Sequence, residues 1–511
     1  MPVNALVSPR IRLAVAVVAA LGACAALAAA PAHAGRTQVS VFQDEGLLQF
    51  NGPEAQRAAL DEMQSLGADQ IHVLVGWRNL APGPTSTRKP SGFDGADPAQ
   101  YPDNAFAALD NLVELAQSRD LELLFTPTGS IPDWASRCSA REARAKSTFT
   151  CDPDPEEYEA FVAALGKHFS GERTVSRWSF WNEPNLKSWL RPQYKRVRGR
   201  NIPWSPHMYR ALAQGGIRAL RSTGHASDQI LAGEAAPIGL QSGNANSASM
   251  APGIFYREMF CLDSRGRRFR GPDASARGCS RPKAFAIKGV SHHPYAKGGS
   301  KGPTATVRNP REITVGYIGR LQRIISQAAR ARMIPRGLDI YYTEYGVQTS
   351  PPDTFFGVSL TKQAEFINES DYMSWRNRDV RSVAQYNLVD DASDEGFNTG
   401  LVFNPNTRDG ARKPSYDAYR TPIYVIKGSG DRVKVWGQAR PAGAGARVEI
   451  QSGSGSDWTT VQAITTGTQG YFQVNVTGPG PRWRLKWTPR GENVDYFSRE
   501  AVPRSEPRER R

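Results

Sequence analysis

Two hydrophobic patterns, one typical of strands and one typical of helices, alternate along the chain from about residue 37 to residue 421. Short apolar runs of strand type recur, and most are followed by a stretch with apolar residues at helical spacing. The predicted strands cover residues 37–42, 71–75, 121–126, 178–181, 229–233, 286–291, 338–343 and 381–386. Repeated strand–helix units predict an α/β fold, a parallel (β/α)8 barrel. A doubly wound open sheet is disfavoured, because no glycine-rich phosphate loop follows the first strand.

The pattern changes after Thr421. Residues 422–498 contain short stretches of alternating apolar and polar side chains, separated by turns with glycine and serine. This predicts a small antiparallel, immunoglobulin-like β-sandwich. Its aromatic side chains suit either carbohydrate binding or packing on the barrel, and we favour packing; they include Trp436, Trp458, Tyr471 and Trp483. The final stretch, 499–511, is rich in Arg, Glu and Pro and is predicted to be disordered.

Residues 1–34 have the features of a secretory signal peptide. Arg10 and Arg12 precede the apolar run 13–30, and Ala32-His33-Ala34 matches the small-x-small rule for a cleavage site. The end of the run is rich in small residues and no charged stop follows it, so we expect no stable insertion in a membrane.

A lipoprotein anchor at Cys24 is a competing interpretation of the same leader. It ranks lower, because the apolar region continues past Cys24 and a good cleavage site follows. We therefore expect an extracellular protein whose barrel domain covers 35–421 and whose sandwich covers 422–498.

Four cysteines remain once the leader is removed, namely Cys138, Cys151, Cys261 and Cys279. An even number in an oxidising compartment predicts disulfides, and four cysteines allow three pairings. Pairing of sequence neighbours is preferred, because each pair brackets a charged, irregular loop. A zinc site is not expected, since the chain has no CxxC motif.

The chain is basic, with 64 Lys and Arg against 49 Asp and Glu, a net charge of +15. The leader contributes two arginines and no acids, which leaves 15 − 2 = +13. This charge favours anionic surroundings such as cell-wall polymers. A nucleic-acid site is not expected, because no basic helix with interleaved aromatic residues stands out. We expect a monomer.

Glutamates stand at the ends of the fourth and seventh predicted strands. Trp181-Asn182-Glu183-Pro184 ends the fourth, and Thr343-Glu344-Tyr345-Gly346 ends the seventh. Active-site side chains of barrels project from the C-terminal strand ends, so these carboxylates should converge. Both motifs resemble those of clan A glycoside hydrolases, in the manner of the cellulase-like family 5 and xylosidase-like family 39. The resemblance spans roughly residues 37–421.

The resemblance implies a retaining glycosidase that needs no cofactor or metal. Glu183 would be the general acid/base and Glu344 the nucleophile, with carboxyl groups about 5–5.5 Å apart. By the same resemblance Asn182 binds the sugar 2-hydroxyl, and His293 and Tyr295, after strand six, contact the substrate and the nucleophile.

Three further substrate-binding candidates follow from position. Arg78 follows strand two, where related enzymes often place an arginine near the nucleophile, although a solvated salt bridge explains it nearly as well. Trp134 suits a sugar-stacking platform, with core packing as its rival. The family's tryptophan after strand eight is missing, and Tyr386 or Asn387 takes its place.

We therefore expect a secreted glycosidase that acts on a polysaccharide or oligosaccharide through a glycosyl-enzyme. The alternative is a catalytically inactive barrel that binds cell-surface or cell-wall glycan. The sequence leaves open the sugar, the linkage and the choice between hydrolysis and transglycosylation.

Overall fold

The computed structural model describes residues 38–139, 150–242, 248–296, 302–354, 356–392 and 396–510. The predicted leader, 1–34, lies outside these residues. A parallel sheet with the strand order β10-β1-β2-β3-β4-β7-β8-β9 forms the first and larger part of the described chain. Its strands are β1 (Val39–Gln43), β2 (Gln70–Gly76), β3 (Glu122–Thr128), β4 (Val175–Trp178), β7 (Gln229–Ala235), β8 (Gly289–His292), β9 (Asp339–Tyr342) and β10 (Ser382–Tyr386).

The eight strands close into a barrel between β9 and β10. Ile340 and Val380 form a parallel bridge, and the Arg381 amide donates to the Ile340 carbonyl at 2.9 Å. Further along, the Tyr386 amide donates to the Tyr345 carbonyl at 2.7 Å. The predicted barrel is therefore confirmed, and all strand ends of one kind share one rim.

Helices alternate with the strands, as the apolar spacing predicts. They are α1 (Pro53–Ser65), α2 (Trp77–Leu80), α3 (Ala107–Gln117), α4 (Pro155–His168), α5 (Ser205–Ser222), α6 (Pro252–Met259), α7 (Gly271–Ala276), α8 (Gly319–Arg330), α9 (Leu360–Arg376), α10 (Pro405–Arg408) and α11 (Pro414–Arg420). In α4 the Asp154 carboxylate caps the amides of Glu156 and Glu157, and Pro155 occupies the first turn. In α8, Leu321, Ile324, Ile325 and Ala328 form the buried face.

The fourth strand ends earlier than its apolar run predicts. It stops at Trp178, and the chain then turns through left-handed backbone at Trp181, with φ of 55°, and at Glu183, with φ of 38°. A small hairpin, β5 (Tyr194–Val197) and β6 (Arg200–Pro203), follows in the basic loop. The aromatic run 178–181 therefore builds an irregular strand end instead of a regular strand.

Two disulfides tie down loops of the barrel. Cys138 bonds to Cys151, and Cys261 bonds to Cys279. This is the local pairing that the sequence favours. None of the helices in the described part of the chain has the length and apolar character needed to cross a membrane.

Two antiparallel sheets follow the barrel. One contains β11 (Ile423–Lys427), β12 (Arg432–Gln438) and β15 (Tyr471–Thr477). The other contains β13 (Arg447–Ser454), β14 (Asp457–Thr465), β16 (Arg482–Trp487) and β17 (Tyr496–Phe497). Side chains of both sheets form one apolar cluster, as expected for a sandwich.

The aromatic residues of this region are mostly buried. Trp483 belongs to the core of the sandwich, while Trp436 and Tyr471 cluster with Tyr372 and Trp375 of α9. Trp436 is fully buried in that cluster. Packing against the barrel therefore accounts for Trp436 and Tyr471.

The tail differs from the disordered segment that its composition predicts. The Arg504 amide donates to the Val425 carbonyl at 3.0 Å, and Tyr372 donates to Glu506 at 2.7 Å. The Asn377 amide group donates to Glu509 at 2.9 Å. Composition alone misleads here, because the charged side chains find partners on α9 and β11.

Candidate active site

Glu183 and Glu344 meet at one rim of the barrel, from opposite sides of the ring. Glu183 follows β4 and Glu344 follows β9. Each offers a carboxylate oxygen to a group of atoms that all lie within 4.8 Å of one another. A distance this short between the facing oxygens is in keeping with the roughly 5–5.5 Å that separates the carboxyl groups of a retaining pair.

His293 lies between the two carboxylates. Its Nδ1 atom is 3.2 Å from Glu183 Oε1 and 3.2 Å from Glu344 Oε2. Its Nε2 atom is 2.8 Å from Glu234 Oε2, and the ring has no solvent exposure. Burial lowers the pKa of an imidazole, but the three carboxylates overcome it and hold the pKa of His293 well above its usual range.

This placement differs from the expected contact between His293 and substrate. The ring is fully buried and both nitrogens face carboxylates, so neither is open towards the mouth of the barrel. His293 is instead placed to orient the carboxylate pair. A histidine that follows a strand gives no sequence signal that distinguishes these two roles.

Glu234 is the carboxylate that completes this network. It lies near the C-terminal end of β7 and has no exposure; besides His293, the Thr343 hydroxyl donates to its Oε2 at 2.7 Å. Burial alone would raise the pKa of this carboxyl, but the hydrogen bond and charge of His293 and the charge of His72 together outweigh it and lower the pKa to about 2. From the sequence, a contact of Glu234 with sugar and one with a loop backbone were equally open, although its strand-end position matched that of the other two glutamates.

Tyr295 donates a hydrogen bond to Glu344 Oε1 at 2.6 Å, in line with the expected contact to the nucleophile. Burial and the charge of Glu183 raise the pKa of Glu344 to about 7, against the opposing effects of His293 and Tyr295. Glu344 therefore accepts a hydrogen bond from Tyr295 and forms an ion pair with His293. These contacts favour its anionic form within the coupled pair.

Asn182 lies next to Glu183 and is almost fully buried. The backbone amide of Asn182 donates to the Thr128 hydroxyl. Its side-chain oxygen has no hydrogen-bond partner within the described residues. A buried carbonyl oxygen without a partner is costly, so its presence indicates a ligand group that satisfies it. A sugar hydroxyl is such a group.

Left-handed backbone recurs around this rim. Glu234 has φ of 49° and Asn387 has φ of 63°, in addition to Trp181 and Glu183. Such conformations are strained in residues other than glycine and concentrate at functional sites. Each of the four residues closely follows a barrel strand or ends one.

Glu45 follows β1 and is a further carboxyl group near the nucleophile that sequence analysis missed. Burial and the charge of Glu344 raise the pKa of Glu45 to about 8. Gln43 donates to its carboxylate at 2.8 Å, and the side chain keeps some exposure. Tyr386 stands at the end of β10. Burial and the charges of Glu45 and Glu344 raise the pKa of its hydroxyl.

Arg78 and Trp134 occupy the loops after β2 and β3. Arg78 forms an ion pair with Asp133 at 2.8 Å and donates to the Ile131 carbonyl, so the salt-bridge alternative describes its guanidinium. Trp134 packs edge-on against Trp77 and donates to the Pro82 carbonyl. The core-packing alternative therefore describes the contacts of Trp134.

A cavity of about 220 Å³ lies above the carboxylate pair. Glu183, Tyr295 and Glu344 line it, together with side chains from the loops after β4, β7, β8, β9 and β10. A concave site with a few converging polar groups is the usual form of a small-ligand site.

Glu183, His293 and Glu344 are also close enough to share one metal ion. A metal ligand must be deprotonated, however, and three facing carboxylates favour the imidazolium form of His293. The donor set therefore fits a charged hydrogen-bond network better than a metal centre.

No protein-family model matches the chain, and no curated protein matches it. Solved structures of similar shape include Fpglu1 from Fervidobacterium pennivoraus, at 13% identity over 75% of this chain and 94% of that one, with a TM-score of 0.46. A family 1 β-glucosidase from Thermotoga maritima matches at 11% identity over 72% and 85%, with a TM-score of 0.45. A β-glucuronidase from Bacteroides uniformis matches at 11% identity over 92% of this chain but 46% of its own, with a TM-score of 0.41. At TM-scores below 0.5 these likenesses carry no argument about activity.

Proposed function

We propose that this protein is a retaining glycoside hydrolase that cleaves O-glycosidic bonds by double displacement. The observation that carries the proposal is the pairing of Glu183 and Glu344, whose carboxylate oxygens lie within 4.8 Å on one barrel rim. Glu344 accepts a hydrogen bond from Tyr295, and Asn182 offers an unsatisfied oxygen next to Glu183. Together these groups supply a nucleophile, an acid and a hydroxyl ligand.

In the first step, a carboxylate oxygen of Glu344 bonds to the anomeric carbon of the sugar. The bond from that carbon to the leaving oxygen breaks, and Glu183 gives its proton to that oxygen. In the second step, Glu183 takes a proton from water, whose oxygen displaces Glu344 from the anomeric carbon. The sugar leaves with its original anomeric configuration, and both carboxyl groups return to their starting state.

The contacts of the two glutamates support the assignment of one as nucleophile and the other as acid/base. Glu344 accepts a hydrogen bond from Tyr295 and forms an ion pair with His293, and both contacts stabilise the anion needed for attack. Glu183 faces His293 and keeps 15% of its side-chain surface exposed, so water can approach it in the second step. Glu183 is therefore assigned as acid/base and Glu344 as nucleophile.

The protein is further proposed to act outside the cell. Two disulfides support an oxidising compartment. The predicted leader would direct export, and residues 422–498 would form an accessory domain that packs against the barrel. Carbohydrate is the proposed substrate, and the basic surface would favour anionic glycan surroundings.

A panel of 4-nitrophenyl glycosides and polysaccharides tests the proposal. We expect hydrolysis of at least one substrate, with retained anomeric configuration by NMR at early times. Glu183→Gln and Glu344→Gln should each lower kcat/KM for a natural glycoside by about 10²–10⁴-fold or more. Glu159→Gln, which removes a surface carboxylate paired with Arg218, is the matched control and should stay active.

Covalent trapping separates the two roles. A 2-deoxy-2-fluoro glycoside with a good leaving group should label Glu344 in a peptide map. With a good leaving group, which needs no acid in the first step, azide should restore turnover to Glu183→Ala and give a glycosyl azide of retained configuration. In Glu344→Ala azide can only take the place of the nucleophile, and the glycosyl azide should have inverted configuration. An active wild type that inverts configuration would refute the proposal, and an inactive wild type that binds glycan would favour the binding-protein alternative.

A further inference from the structure

The cavity above the carboxylate pair is lined unevenly. On the side formed by the loops after β4, β7 and β9, its wall is mostly apolar and includes Leu186, Pro237, Ile238, Val347 and Val358, with Tyr345 and Gln348 as its polar members. Phe366 of α9 closes the wall behind Val358. A wall of this composition offers few hydrogen-bond partners to the hydroxyl groups of a sugar.

Other polar groups near the carboxylate pair do not belong to this cavity lining. Glu45 and Tyr386 follow or end β1 and β10, which are adjacent strands, and both feel the charge of Glu344. Asn182, with its unsatisfied oxygen, belongs to the irregular segment after β4. A sugar ring finds its hydrogen-bond partners among these groups, which leaves the apolar wall to the other half of a glycoside.

Two exposed phenylalanines extend the apolar wall to the surface. Phe356 is 49% exposed and Phe397 is 47% exposed, and both line the same cavity. Large apolar side chains at this level of exposure, grouped at a concave site, mark contact with an apolar ligand. A cavity of about 150 Å³ accommodates benzene, so about 220 Å³ has room for one ring or a short alkyl chain.

We propose that the substrate carries an apolar leaving group, an alkyl or aryl alcohol, which the wall formed by Ile238, Phe356 and Phe397 binds. The proposal rests on the glycosidase function proposed above. During the first step, the glycosidic oxygen takes the proton of Glu183 and departs as the hydroxyl of this apolar alcohol. Glu183 lines the cavity beside Leu186, which is where this oxygen must lie.

Matched alkyl glycosides test the proposal. The 4-nitrophenyl panel first identifies the sugar, and the methyl, hexyl and 2-phenylethyl glycosides of that sugar are then compared. Their leaving alcohols differ little in acidity, so differences in kcat/KM report binding of the apolar part. Burial of one methylene is worth about fourfold, and we expect hexyl to exceed methyl by at least tenfold.

Variants at the exposed phenylalanines locate the effect. Phe356→Ser and Phe397→Ser should each lower the hexyl-to-methyl ratio at least threefold, and folding is not at stake because both side chains are largely exposed. Phe497→Ser is the matched control, since Phe497 is 37% exposed on β17, outside the cavity. It should leave the ratio unchanged.

The outcomes distinguish this inference from the function on which it rests. If no glycoside or polysaccharide is hydrolysed, the proposed function fails. If hydrolysis occurs but the hexyl-to-methyl ratio is near one, or only polysaccharides are cleaved, the glycosidase stands and the apolar leaving group is refuted. A 2-phenylethyl-to-methyl ratio of kcat/KM above the hexyl-to-methyl ratio would assign the wall to aryl alcohols. A hexyl-to-methyl ratio above the 2-phenylethyl-to-methyl ratio would assign it to alkyl alcohols.

Discussion

His293 Nε2 lies 2.8 Å from Glu234 Oε2, and neither side chain has any exposure to solvent. This pair joins the ends of the fifth and sixth barrel strands beneath the two reactive carboxylates. It presents a positively charged Nδ1–H to Glu183 and Glu344 at equal distances of 3.2 Å. The geometry of the carboxylate pair therefore depends on a buried ion pair between two other side chains.

Glu234→Gln tests this dependence. The amide removes one of the three carboxylates that raise the pKa of His293, so the imidazolium form is less favoured and lowers the pKa of Glu344 less. We expect the acidic limb of the kcat/KM profile to move to higher pH, with a loss of about 10–100-fold at neutral pH.

Glu258→Gln provides the control for that variant. Glu258 is another nearly buried carboxylate that faces a histidine, with His207 Nε2 at 3.3 Å, but it belongs to α6 and lies outside the cavity. It should cost stability without moving the pH profile. An unchanged profile in Glu234→Gln would limit Glu234 to a structural role.

Tyr295→Phe removes the hydroxyl that donates to Glu344 Oε1 at 2.6 Å. The anion of the nucleophile loses a charge-assisted hydrogen bond, which is worth about 1.5–3 kcal/mol. We expect kcat to fall about 10-fold or more and the acidic limb to rise in pH. Tyr416→Phe is the control, because it removes a hydroxyl bonded to Glu62, outside the cavity.

Glu45→Gln has an expected effect on stability that depends on pH. Burial and Glu344 raise the pKa of Glu45 to about 8, whereas its ordinary value is 4.5. The stabilisation from its bound proton is therefore complete below about pH 4.5 and is lost as the pH rises towards 8. The variant has no carboxyl group at this position and lacks this loss. The melting temperature of the variant relative to that of the wild type should therefore rise as the pH increases from 4.5 to 8.

Thermal unfolding across pH 4 to 9 measures this difference. Glu54→Gln is the control, because Glu54 is exposed on α1 and should show a constant offset. A Glu45→Gln curve parallel to that of the wild type would show that Glu45 ionises normally in the folded protein.

Chelation should leave the activity unchanged. Glu183, His293 and Glu344 are close enough for one ion, but the three carboxylates around His293 favour its protonated form. Dialysis against EDTA, followed by assay in metal-free buffer, checks the expectation. Activity that is lost on chelation and restored by one divalent cation would instead place that ion among these three side chains.

The barrel and the reactive pair are readable from the sequence because both depend on local patterns. Apolar runs of strand length recur between helical stretches, and Glu183 and Glu344 each stand at the end of such a run. Parallel strands in a closed sheet place their C-terminal ends on one rim. Convergence of the two glutamates follows from that geometry without knowledge of any side-chain contact.

The network of Glu234 and His293 could not be predicted from the sequence, because it consists of contacts between strands that are distant along the chain. Glu234 and His293 are 59 residues apart, and nothing in their local sequence tells a buried ion pair from two surface residues. The raised pKa of Glu45 likewise comes from burial and from the charge of Glu344, which is remote in sequence. Arg78 could not be assigned for the same reason, since its ion pair with Asp133 depends on how two loops meet.

The sequence by itself determined the order of strands and helices, a preference for the local disulfide pairing and the identity of the two glutamates. Each of these is set by spacing along the chain. Only the tertiary structure decided which neighbours those glutamates have, how the cavity wall is divided and where the charged tail packs. Burial and charge depend on distances through space, and these arise only when the barrel closes.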